Sequence, residues 1–514
     1  MHNHRMFAVL NLVGILLLKI NILLLFSERN EESGKSILSL FKRTKAIEQI
    51  FVLRTFHYSQ WNENRSSTIT LINLDKRIFR RLNWLDAKCL VHSSNDLFPT
   101  RHVSPQLIVL HSVGQCRLAI CALICPHGRP VDEVVFRFAG SKPITFPVSV
   151  PDPLPNAMKK ASLLLCMGRV FFFEQWHLFV TAMEMYRMQR VDTVVAYVMS
   201  VHPTLYELMR LYERDGLLRV RANMEMPTET AHGTADKFNP NGETEWSNQV
   251  VDLHDCLYEH RDSAEFIAFL DWDDLLISPT FAPLPGIMKK FSAYNADSAT
   301  FLVPRYQSYL HNLESFSAQK YSLRSFWDNW LLFDKQSLQN SDQKIIGKIV
   351  VRPKFTESVN YHNATKLANG FREIGVPQSD AFILHLRLKK PIFPADKLRI
   401  DGELLEKTFS DFLYRQNKSM EAISERLPRK ESVIGEFVHC YLASTPDEDR
   451  AKNLKRKCPS IQHCPINQTK IELTEQECVN NVNIWSHYTS HLRGISISVL
   501  EGNIFEKTNR CKFM

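Results

Sequence analysis

Three carboxylates crowd one short segment, FIAFLDWDDLL at residues 266–276, as Asp271, Asp273 and Asp274. The apolar run before them reads as a buried strand, and a parallel sheet opens its ligand crevice where such a strand ends. Residues two apart on an extended chain point the same way, so Asp271 and Asp273 aim at one place. Charge so concentrated needs water or a cation. Carboxylate oxygens are hard ligands that suit Mn2+ or Mg2+, and such an ion can bridge the diphosphate of a nucleotide. A solvated acidic turn is the competing account of the same residues; the strand in front of them weighs against it.

The elements that must hold this segment follow from hydrophobic period. ASLLLCMG (161–168), TVVAYVMS (193–200) and LLRVRANM (217–224) read as strands. Between the first two, residues 174–191 are helical, with Trp176, Phe179, Met183 and Tyr186 three to four apart. Trp176 and Phe179 are expected in the core, and Glu184 in a cap or ion pair of that helix. Residues 202–216 form a second helix stopped by Gly216, and residues 252–263 a third. Strand and helix in alternation, with short connections, make a parallel sheet of the nucleotide-binding sort. Beyond the acids, ATFLVPRYQ and KIVVRP read as strands and residues 395–430 as helical in part. Residues 100–156 read as strands that flank the main domain, and the last eighty or so show no clear period.

Composition bounds the class. A chain of 514 residues with 44% hydrophobic content can bury a large core, which excludes a mainly disordered protein. With 17 glycines and 23% charged residues it is neither collagen-like nor low-complexity. The net charge of +8, from 63 basic against 55 acidic residues, is small for this length and calls for no nucleic acid. Residues 6–26, MFAVLNLVGILLLKINILLLF, extend about 31 Å as a helix, enough to cross a bilayer. No small-residue cleavage site follows, so a retained anchor is expected, with the lipid bilayer as partner and the bulk of the chain outside or lumenal. Eleven cysteines suit an oxidising lumen, and Cys440, Cys458, Cys464 and Cys478 are expected to form local staples. Acceptor sequons for glycosylation stand at Asn64, Asn363, Asn417 and Asn467.

The chain resembles the glycosyltransferases of family 92, a nematode-rich group. The resemblance is carried by Cys166 with Glu174, Gln175, Trp176 and Glu184, by Tyr197 and Ser200, and by Tyr212 and Gly216. It continues through Gln249 before Asp255 and Cys256, then FLDWDD, GKIVVRP, His362 and finally His385 and Arg387, covering roughly residues 160–420. It departs from the family at Leu386, where tyrosine is common, and at Asp274, where many relatives carry glutamate.

What the resemblance implies is an α/β protein of GT-A type, a Rossmann-like mixed sheet with flanking helices behind an N-terminal transmembrane helix. It implies a single-pass type II membrane enzyme of the Golgi or endoplasmic reticulum with its catalytic domain in the lumen. The reaction implied is inverting transfer of a hexose, galactose from UDP-galactose in characterised relatives, to a glycan or glycoprotein acceptor. Asp271 would lie near ribose and metal, Asp273 would ligate the ion, and Asp274 would orient them or take part in the chemistry. His385 would approach the metal or the phosphates, and Arg387 would neutralise the departing diphosphate. Cys166 and Cys256 are either a structural disulfide or two buried thiols. The implied organisation is a tail (1–5), an anchor (6–26), a stem (27–99), a strand-rich extension (100–157), a catalytic domain (158–420) and a cysteine-containing extension (421–514). A catalytically silent, membrane-anchored glycan-binding or scaffold protein is the rival reading; the three acids with His385 and Arg387 favour an enzyme.

Overall fold

The computed structural model describes residues 48–59, 61, 66–79, 88–92, 101–127, 133–137, 144–149, 160–228, 239–280, 282–310, 332–336, 347–387, 396–399, 478–490 and 495–509, with isolated positions between 407 and 460. Eight strands come first: β1 (Glu48–Tyr58), β2 (Ser67–Asp75), β3 (Lys88–His92), β4 (Arg101–Val103), β5 (Gln106–His111), β6 (Leu118–Pro126), β7 (Glu133–Arg137) and β8 (Ile144–Pro147). Next is the alternating region: β9 (Ala161–Val170), α1 (Trp176–Met188), β10 (Thr193–Val198), β11 (Ser200–Val201), α2 (Pro203–Arg214), β12 (Leu218–Ala222), α3 (Gln249–Glu259) and β13 (Ala264–Leu270). Beyond it lie β14 (Asp274–Ile277), α4 (Leu284–Tyr294), β15 (Ser298–Val303), β16 (Arg305–Leu310), β17 (Leu332–Gln336), β18 (Lys348–Val351), β19 (Thr356–Val359), β20 (Ala364–Leu367), β21 (Arg372–Gly375), β22 (Phe382–Arg387) and β23 (Asp396–Arg399). A long hairpin of β24 (Cys478–Ser490) and β25 (Ile495–Thr508) closes the described chain.

The central sheet has the order β12-β10-β9-β13-β18-β15-β21. Its first four strands are parallel, and β18 runs antiparallel to β13 and β15. Strands covered on both faces read as unbroken apolar runs, and the side chains of β9 show why. Leu163, Leu165 and Met167 pack with α1, α2 and α4, while Leu164 and Cys166 face α3, β1 and β2. A disulfide from Cys166 to Cys256 pins α3 to that second face. Trp176 and Phe179 are buried in the first core cluster, as expected.

A second seven-stranded sheet, β11-β24-β25-β1-β2-β6-β5, joins the two ends of the described chain. β1, from the stretch expected as a stem, runs parallel to β25, from the expected extension. The ATFLVPRYQ strand is divided into β15 and β16 by Pro304, which has no N–H to give a ladder. Residues 395–430, expected as helical in part, begin with the strand Asp396–Arg399 and are helical at the described positions 407, 410, 411, 414, 422 and 423.

Two expectations are corrected. Among the described residues no helix is long and apolar enough to cross a membrane, and residues 6–26 lie outside them. Among the described residues the fold is therefore a mixed α/β sheet with flanking helices and no transmembrane helix, so the signal anchor, bilayer partnership and type II topology expected of the chain find no support in it. Cys458 is not a local staple: it pairs with Cys116, 342 residues away, and Cys89 pairs with Cys125. Of the sequons, Asn363 is exposed beside β20, while Asn64, Asn417 and Asn467 lie outside the described residues.

Candidate active site

β13 ends at Leu270, and a turn closed by the Asp274 N–H donating to the Asp271 carbonyl (3.0 Å) starts β14. That turn separates the three acids. β14 pairs with β22 so that Asp274 stands opposite His385, and the Leu386 N–H donates to the Asp273 carbonyl at 2.6 Å. Trp272 between the acids points inward and packs 5.4 Å from the rings of Phe173 and Phe179, which holds the turn against the core.

Asp271 and Asp273 keep their carboxylates 39% and 36% exposed, whereas Asp274 is wholly buried. Asp274 Oδ1 accepts from Arg305 Nε at 2.7 Å and from His385 Nδ1 at 2.8 Å. Its Oδ2 has no hydrogen-bond partner, and Lys348 Nζ lies 3.7 Å from it. Lys348 Nζ donates to Asp271 Oδ2 at 2.7 Å, so one ammonium joins the first acid to the third. Burial opposes the charge on Asp274, but the His385 hydrogen bond and the cations of Lys348 and Arg305 outweigh it and hold the carboxyl well below the usual range. Desolvation in the crevice raises Asp273, against the pull of His385 and with the push of Asp274 and Asp271. Burial likewise works against the Lys348 ammonium, and Asp271 and Asp274 more than restore it.

Asp273, Asp274 and His385 can each offer one ligand atom, all within 4.8 Å of one another. Two carboxylates and an imidazole, one oxygen of which is buried without a hydrogen bond, fit a divalent cation. Asp271 is not in that group and reaches it through Lys348. Arg387 ends β22 opposite Tyr309, and its side chain lies outside those described. His362 is half-buried, and its ring bonds the Gly347 carbonyl at 2.9 Å, bracing the residue before Lys348. Glu184 is buried in α1 against Arg187 at 3.3 Å, an ion pair of that helix.

Lys348 and Arg305 are the functional residues that sequence reasoning missed. The signal for Lys348 was present in GKIVVRP, since a lysine inside an apolar strand must find a charged partner. Arg305 carried no such mark.

Residues 161–430 match the family described as Glycosyltransferase family 92. Among similar relatives, the Caenorhabditis elegans glycosyltransferase family 92 protein ZK381.2 is 27% identical over 251 residues, covering 49% of this chain and 46% of the relative. The C. elegans family 92 protein C33H5.2 is 26% identical over 242 residues, covering 46% and 44%. The chain thus spans about half the length of the curated relatives it matches. Among solved structures, S. aureus TarS 1-349 in complex with UDP-GlcNAc aligns at a TM-score of 0.24 and 12% identity, over 49% of this chain and 71% of that one, too low to carry an argument.

Proposed function

This chain belongs to glycosyltransferase family 92, and we propose that it transfers a glycosyl group from a nucleotide sugar to an acceptor hydroxyl in a divalent-cation-dependent reaction. The finer reading is inverting transfer of galactose from UDP-galactose to a glycan or glycoprotein. The observation that carries the proposal is the gathering of Asp273, Asp274 and His385 within 4.8 Å at the end of a sheet strand.

Those three side chains would hold Mn2+ or Mg2+, and an ion there supplies positive charge to a departing diphosphate. The chain's own groups do the rest. Lys348 and Arg305 keep Asp274 ionised, and an acid so stabilised and so buried is a poor proton acceptor, which assigns it to orientation. The exposed acids Asp271 and Asp273 meet the ligand, with Asp271 on the nucleotide side and Asp273 on the ion. Arg387 is assigned the phosphate, where a guanidinium fork matches two oxygens.

Asp273→Asn should keep the fold and lower cation-dependent turnover of a UDP-sugar on the order of 100-fold or more. The check is calorimetry of Mn2+ with UDP, beside kinetics across a donor panel. Equal binding and turnover in the variant would refute the metal assignment, and a wild type silent toward every donor would favour a glycan-binding protein.

A further inference from the structure

Lys348 stands where a divalent cation would have to share its partners. Its side chain is 3% exposed, and its ammonium lies 2.7 Å from Asp271 Oδ2 and 3.7 Å from Asp274 Oδ2. It has little freedom to swing away. Lys348 is the register partner of Val303, and the preceding Gly347 is pressed so closely on β15 that a Cβ would collide with the Val303 carbonyl oxygen. The cluster then holds three acids, Asp271, Asp273 and Asp274, against two fixed cations, Lys348 and Arg305. Three acids against two cations leave a single excess negative charge among these groups, and a divalent ion arriving alone would turn it positive beside a buried ammonium. A diphosphate arriving with the ion brings the missing negative charge.

We propose that Lys348 keeps this site from holding a divalent cation by itself, so that the cation and a nucleotide diphosphate bind together and leave together. The inference rests on reading the cluster as a metal and diphosphate site, and it adds that the ion is exchanged with each nucleotide instead of being resident. Coupling of this kind is reciprocal: whatever factor UDP adds to Mn2+ affinity, Mn2+ adds to UDP affinity.

Titration calorimetry of Mn2+ with and without UDP tests it on the full chain. In the wild type UDP should tighten Mn2+ by roughly 30-fold or more, within the usual range of coupling between sites. Lys348→Met keeps the stem and removes the charge. It should bind Mn2+ alone on the order of tenfold more tightly, with the UDP effect shrunk accordingly. Because that variant takes one cation away from the buried Asp274, which keeps Arg305 and His385, folding is controlled by a second comparison, Asp271→Asn against Asp271→Asn with Lys348→Met, which should show the same gain. An unchanged Mn2+ affinity on removing Lys348 in either background would overturn the inference alone. So would a wild type that binds Mn2+ equally well without UDP. A wild type that binds Mn2+ in neither condition would overturn this inference and the metal reading together.

Discussion

A methyl group placed on Gly168 would stand 2.5 Å from Asp271 Oδ1 and 2.7 Å from Gln249 Nε2. Both atoms end flexible side chains and can yield, so Gly168→Ala should cost only about 1 kcal/mol of stability while displacing the Asp271 carboxylate from Lys348. Mn2+ and UDP affinity should fall on the order of tenfold through that displacement. Gly347→Ala meets the Val303 backbone instead, which cannot yield without moving β15, and should cost about 2–3 kcal/mol. Chemical denaturation and calorimetry on the two variants should therefore give opposite orders of severity, stability worse for Gly347 and ligand affinity worse for Gly168. The acids were legible in the chain because charge at the end of an apolar strand is conspicuous, whereas His385 was reached only through the family resemblance. Of their cations, Lys348 was marked only as a lysine in an apolar strand and Arg305 not at all, and nothing local says that the two, on β18 and β16, converge on one carboxylate.

α3 shows how an element's chemistry sets its pH response. His254 is buried, its Nδ1–H donates to the Val250 carbonyl at 2.8 Å, and its Nε2 accepts from Ser358 Oγ at 3.1 Å and the Val359 N–H at 3.3 Å. Protonating Nε2 would set it against the Val359 N–H, and burial pushes the imidazole down to about 4 from its usual 6.5. The unfolded chain takes the proton near 6.5 and the native one only near 4, so the unfolded state is favoured increasingly as pH falls through that window. Stability contributed by neutral His254 is full above 6.5 and declines by about 3 kcal/mol toward pH 4. His260, the residue that follows α3, is also pushed down to about 4 by burial, so the wild type carries both effects. His254→Gln should lose stability at pH 7 yet shallow the fall between pH 6.5 and 4, read by denaturant titration at several pH values; an equally steep fall would exclude His254 as a source. α2 was readable from period because it buries one stripe, and β9, β10 and β13 because they are continuous apolar runs, whereas α1 and α3 kept a readable helical spacing although they are buried almost all round. The β24 and β25 ribbon was not, since Ile484 and Ile504 stay exposed and blur its alternation.

At the scale of the molecule, the expected catalytic domain of residues 158–420 has its second face built by segments outside it. Phe51, Phe56 and Ile69 from β1 and β2 share one core cluster with Val250, Leu257 and Tyr258 of α3. Polar ties run along the same seam. Arg54 Nη1 bonds Asp255 Oδ1 at 2.9 Å and Glu259 Oε2 at 3.0 Å, Tyr58 donates to the Tyr258 carbonyl at 2.5 Å, and Asn73 donates to Asn248 Oδ1 at 2.7 Å. Removing Arg54 would leave Asp255 and Glu259 buried with a charge unmatched, a loss of about 3–5 kcal/mol for a broken buried pair. β1 is in turn held by β25, and β11 by β24, so the last described strands support the first. The Cys116–Cys458 disulfide closes the same circuit across 342 residues. None of this could be read from local pattern, because pairing between residues some four hundred positions apart leaves no local mark. A protein consisting of residues 158–420 should therefore fail to fold cooperatively, whereas the full chain should. Far-ultraviolet circular dichroism through a thermal ramp and limited proteolysis check it: a protease-resistant 158–420 fragment with a sharp transition would show that the central sheet stands alone and that β1, β2 and the terminal hairpin merely decorate it. If instead the fragment is protease-sensitive and Arg54→Ala in the full chain lowers the transition midpoint, the face of α3 is a shared core, and the acid cluster at the end of β13 depends for its rigidity on both ends of the chain.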